Sequence, residues 1–79
     1  MPREEFMKVL RRQPFRPFRL KTSNDELVEV FDPRMVLIAG DDITIGVPDP
    51  ELPPPAASNL LWLGFENIVS VEPLEATAG

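Results

Sequence analysis

The sequence contains no cysteine, no histidine and no tyrosine, and only one tryptophan and four glycines. Without cysteine there are neither disulfides nor thiolate metal sites, which suits a reducing compartment. Without histidine, cysteine or tyrosine, any acid, base or nucleophile must come from carboxylates, lysines or hydroxyls, so catalysis has little to work with. The glycines stand isolated at positions 40, 46, 64 and 79, which excludes a glycine-rich phosphate loop. No apolar run approaches the roughly 18 residues of a membrane-spanning helix, and Met1 to Lys8 lacks the apolar stretch of a signal peptide. The expectation from these absences is a cytoplasmic, non-enzymatic protein with no catalytic residues, no metal site and no cofactor.

What the chain does have is proline, apolar residues and a divided charge. Its 79 residues suffice for one domain spanning 1–79, and 43% are hydrophobic, enough to build a core without covalent staples. The net charge of −5 hides an asymmetry. Residues 1–21 carry seven basic side chains against two acids, a local charge of +5, whereas residues 22–79 carry Arg34 against eleven acids, a local charge of −10. A basic segment on an acidic body can meet an anionic partner, or the acidic part of another copy of the chain.

The pattern of elements is mostly β with one helix. Pro2 near the start, Glu4 and Glu5 in the first turn and Arg11 and Arg12 in the last fit a helix over 3–12. Its stripe of Phe6, Met7, Val9 and Leu10 suits packing on a core. Pro14 and Pro17 forbid its continuation, so Pro14 to Pro17 should cross extended, with Phe15 and Phe18 anchoring the helix to the strands. From Phe18 the period changes to two, and strands are expected at about 17–22, 27–31, 34–39, 42–47, 60–65 and 67–72. Ser23 to Glu26 and Gly40-Asp41-Asp42 read as hairpin turns. A proline-rich loop fills 48–59, in which Leu52-Pro53-Pro54-Pro55 favours a polyproline II conformation, and 75–79 reads as a frayed tail.

The expected fold is therefore α+β and mostly β: a short N-terminal helix followed by about five antiparallel strands in a small barrel or a strongly bent sheet. This layout resembles the Sm-like small barrel, the family of the bacterial Sm-like RNA chaperone. The resemblance rests on the helix ending in Leu10-Arg11-Arg12, the crossing from Pro14 to Phe18, the first strand Phe18-Arg19-Leu20-Lys21, and the closing run Ile68-Val69-Ser70-Val71-Glu72-Pro73. The stretch from Arg11 to Leu20, with Val28-Glu29-Val30 and Asp32-Pro33, is also similar to a group of small bacterial proteins of this length. The Sm-like resemblance implies uridine-rich RNA as a ligand, held by a basic, histidine-bearing segment before the last strand. Here that segment is Gly64-Phe65-Glu66-Asn67, whose acid repels phosphate, so no RNA-binding residue is carried over.

Three functional classes remain to be weighed. Strand 60–65 is apolar on both alternating faces, more than one small core needs, which makes Leu61, Trp62, Leu63 and Phe65 the expected interaction residues of a self-associating module. Arg11, Arg12, Arg16, Arg19 and Lys21, interleaved with Phe15, have the composition of an anion-binding patch for single-stranded nucleic acid, against which stands a pI near 4.5. An enzyme would need a carboxylate pair such as Asp41-Asp42, which reads more simply as a turn. The expected partner is a second copy of the chain or another protein.

Overall fold

The computed structural model describes residues 1–74; the expected tail at 75–79 lies outside the described residues. Helix α1 (Arg3–Leu10) is followed by strands β1 (Phe18–Thr22), β2 (Leu27–Val30), β3 (Val36–Ala39), β4 (Asp42–Pro48), β5 (Ala57–Gly64) and β6 (Ile68–Pro73). Two single-turn 3-10 helices, Pro33–Met35 and Phe65–Asn67, precede β3 and β6. The strands form two three-stranded antiparallel sheets, ordered β2-β1-β6 and β3-β4-β5.

The α+β, β-rich class and both hairpins agree with the sequence, but the sheets do not close into a barrel. The reason lies at Asp32-Pro33. Proline has no N–H to continue a ladder, and Asp32 instead caps a helical turn, its Oδ1 accepting from the Arg34 backbone N–H at 2.9 Å. Strand β2 therefore stops at Val30, and a groove of about 430 Å³ separates its outer edge from Val47 and Pro48 at the end of β4. Arg34 also grips the Asp32 carboxylate with its side chain, at 2.7 Å from Nη2 to Oδ2. That side-chain hydrogen bond, helped by the backbone one, holds the Asp32 carboxyl below its ordinary value.

Helix α1 is shorter than its pattern suggests. It ends at Leu10, and Arg11 leaves the helical conformation at φ −90° and ψ 2°, three residues before Pro14. What the helix contributes to the core is Phe6, which is fully buried. Its ring meets Phe18 of β1 edge-on at 5.9 Å and Phe65 at 5.7 Å, both between ring centroids. Phe15 meets Phe18 at 6.0 Å, so the Pro-Phe crossing does fasten the helix to β1. Leu20, Val30, Val36, Ile43, Ile45 and Ile68 complete the buried cluster, with contributions from both sheets.

The turns are set by local chemistry. Thr22 is the one buried polar residue among those described, and its Oγ1 accepts from the N–H groups of Asn24 and Glu26, bending the chain between β1 and β2. Asp25 there takes φ 63°, a left-handed conformation its short polar side chain tolerates. Gly40, at φ 61°, opens the two-residue loop from β3 to β4, as tight antiparallel hairpins require.

Two outcomes follow. Phe6→Ala should cost about 3–5 kcal/mol, the scale for emptying a buried aromatic site, read by chemical denaturation followed by far-UV circular dichroism; a loss no larger than that of a surface substitution contradicts the packing role. Because Asp32 has a lower pKa folded than unfolded, its contribution is present above the unfolded pKa and is lost as pH falls through the folded one. An NMR titration of its carboxyl carbon should therefore show a midpoint below 3.8, moving back towards that value in Arg34→Gln.

Candidate functional site

The register of sheet β3-β4-β5 decides which side chains of the apolar strand face outward. Thr44 of β4 stands opposite Leu37 on one side and Trp62 on the other, so these three form one row across the sheet. Directly opposed residues share a face, and this row is on the outer one: Leu37 is 70% exposed and Trp62 73%. Leu60, two residues from Trp62 and opposite Gly46, extends the same face and is 53% exposed. Gly46 is backed by Met35, whose Cε lies 3.0 Å from where a Cβ would stand, so the Met35 side chain lies over the glycine.

Four interaction residues were expected in 60–65, and the structure divides them. Trp62 is on the open face. Leu61 and Leu63 turn the other way and pack, half-buried, against the core cluster. Phe65 lies beyond the strand, in the 3-10 turn, and is buried beneath Phe6, so it belongs to the core and not to a surface. Leu60 and Leu37 take the remaining places. Strict alternation from Trp62 points to Leu60, whereas Leu37 is brought there by pairing between strands distant in sequence.

The outer edge of β5 is also open, because the sheet order leaves it without a neighbour. The Phe65 N–H donates to Asp41 O at 3.0 Å, which makes Asp42 and Gly64 a non-hydrogen-bonded pair. Counting along the ladder, the N–H and C=O groups of Leu60 and Trp62 point away from β4. Accordingly the Leu60 N–H donates at 2.9 Å to the Asn59 side-chain Oδ1. No charged residue interrupts Ala57–Gly64, and long, uncharged, apolar edges of this kind pair readily with other strands.

The five basic residues expected to bind anions fall on different elements. Arg11 and Arg12 follow α1, Arg16 lies in the crossing, and Arg19 and Lys21 project from β1. Arg19 is paired with Glu29 at 3.1 Å, and Glu72 stands opposite it on the other side. Lys21 meets Asp25 at 3.5 Å. A phosphate approaching this face meets carboxylates beside both cations.

The other candidates resolve as follows. Residues 52–55 do not run as polyproline II, because two turns fold them. The Asp49 carboxylate accepts from the Glu51 N–H at 2.8 Å, and the Ala56 N–H donates to Pro53 O at 3.1 Å. Asp41 and Asp42 are exposed at the β3–β4 hairpin and, with Glu66 and Arg3, line a shallow depression. Among the described residues no three metal-capable side chains gather, and no helix is long and apolar enough to cross a membrane. The chain matches no family model, no curated protein and no solved structure.

Proposed function

We propose that this protein is a non-enzymatic, cytoplasmic assembly module that associates with copies of itself through strand β5 and the apolar side chains that strand carries on the outer face of sheet β3-β4-β5. The observation carrying this reading is that Leu60 and Trp62, two large apolar side chains on the open outer strand β5, are 53% and 73% exposed. An exposed patch of this kind on a small chain is typical of surfaces that become covered by protein. Leu60 and Trp62 from two copies make four side chains, each contributing up to about 1.5–3 kcal/mol on burial, against an association cost of about 4–15 kcal/mol. That apolar gain is of the same order as the cost, and the unpaired backbone groups of β5 add to it. We read the two sheets as halves of one strongly bent sheet, hinged at Asp32-Pro33, and the β1–β6 pairing supports kinship with the Sm-like small barrels.

Binding of single-stranded nucleic acid through the basic segment has less support. Carboxylates occupy the neighbourhood of Arg19 and Lys21, and the body of the chain is acidic.

Light scattering on the purified protein should give a mass that is a multiple of 8.9 kDa. Trp62→Asp and Leu60→Asp should bring it to that of a single chain, with the far-UV circular dichroism of the folded state unchanged, since neither side chain is in the core. A wild-type monomer at the highest soluble concentration refutes the reading.

A further inference from the structure

The geometry points to a two-fold pairing of β5 with β5 of a second copy, antiparallel and centred on Leu61, which joins the two β3-β4-β5 sheets into one six-stranded sheet. This inference rests on the self-association proposed above and specifies how the copies meet; Leu37, on β3 with β4 between it and the seam, stays outside the contact.

The four sheet edges differ in their readiness to pair. Strand β2 carries Glu29 and β6 carries Glu72, so a two-fold axis through either brings like charges close. Strand β3 is flanked by α1, with Arg3 Nη1 donating to Gly40 O at 3.2 Å, and has only four residues. Strand β5 has eight residues and no charge, and its outward backbone groups lie at Leu60 and Trp62.

Symmetry then selects the register. In an antiparallel two-fold pair, residues equidistant from the axis face one another, and outward-directed backbone groups must meet outward-directed ones. Centring on Leu61 sets Leu60 against Trp62 of the second copy, with each residue's N–H and C=O exchanging bonds with the other's. It is also near the middle of the strand, so the ladder runs nearly its full length. The same register puts the exposed Leu60 side chain beside the exposed Trp62 side chain of the other copy, twice over, on one face of the joined sheet. A slip of one residue in the pairing would oppose inward and outward side chains. Centring on Leu60 or Trp62 preserves the faces but sets Ser58 or Gly64 against the large apolar groups. The Leu60 N–H must exchange its bond to Asn59 for one to the second copy's Trp62 carbonyl, so Asn59 restrains the pairing.

Because the chain has no cysteine, single cysteines report the register cleanly. Leu61 faces itself across the axis as a non-hydrogen-bonded pair, with Cα atoms about 4.5 Å apart, within disulfide reach. Leu61→Cys should therefore form a covalent dimer under mild oxidation. Asn59→Cys or Leu63→Cys alone should not, since each residue lies about 13 Å from its own copy, yet an oxidised mixture of the two should cross-link. The mixed pair also serves if Leu61→Cys does not fold. Asn59→Val should lower the dissociation constant of the dimer about tenfold by freeing the Leu60 N–H; an unchanged constant contradicts the pairing. Wild-type assembly by mass with neither cross-link overturns this pairing and leaves self-association standing, whereas a monomeric mass overturns both.

Discussion

The insertion of Phe6 between Phe18 and Phe65 is the contact on which the rest of the structure depends. One ring, contributed by an eight-residue helix, touches the first strand and the turn before the last. Isolated helices of that length do not persist in water, so α1 exists because its ring is buried, and the ends of the strands are covered because α1 exists. Aromatic edge-to-face contacts add a little to the area buried. Their geometric effect is larger here, since they fix the helix against β1 and the turn before β6 without any side-chain cap at its N-terminus.

Proline limits several of the other elements. Pro14 and Pro17 keep the helix from resuming and hold the crossing, and Pro33 ends β2. Pro48 closes β4 and Pro73 closes β6. Pro33, Pro48 and Pro73 each remove a backbone donor where a ladder would otherwise continue, which keeps the sheets short and leaves a groove at β2. The absence of proline from Ala57 to Gly64 then matters. In a chain so heavily punctuated, the longest strand runs without a proline and has one edge unpaired.

Local signals in the sequence were legible where a single residue decides the outcome. Gly40 before Asp41 and Asp42 placed a hairpin, and the alternation at Phe18 and Leu20 placed a buried face. Features that depend on register were not. Leu37 sits within a continuous apolar run, so nothing in its own neighbourhood distinguishes it from the buried Val36; only its place opposite Thr44 and Trp62 does. Phe65 belongs to no surface because the helical turn after Gly64 seats its ring beneath Phe6, in the same cluster that Leu61 and Leu63 pack against, whereas the two-sided apolar pattern of 60–65 reads as surplus. The charge segregation of the sequence also overstated the basic patch, since folding brings Glu29 against Arg19, and Asp25, four residues on, against Lys21. The proline run is folded for a similar reason: the Ala56 N–H reaches back to Pro53 O and closes a turn across what its composition would extend.

Trp62 is the only tryptophan, there is no tyrosine, and its indole stands at 73% exposure on the outer face. The near-ultraviolet absorbance and emission of this protein are therefore dominated by a surface group. Fluorescence is then a poor witness to melting of the core, because the indole is already wet in the folded chain. The same placement makes the emission maximum a built-in reporter of whatever comes to rest on that face, readable without any added dye.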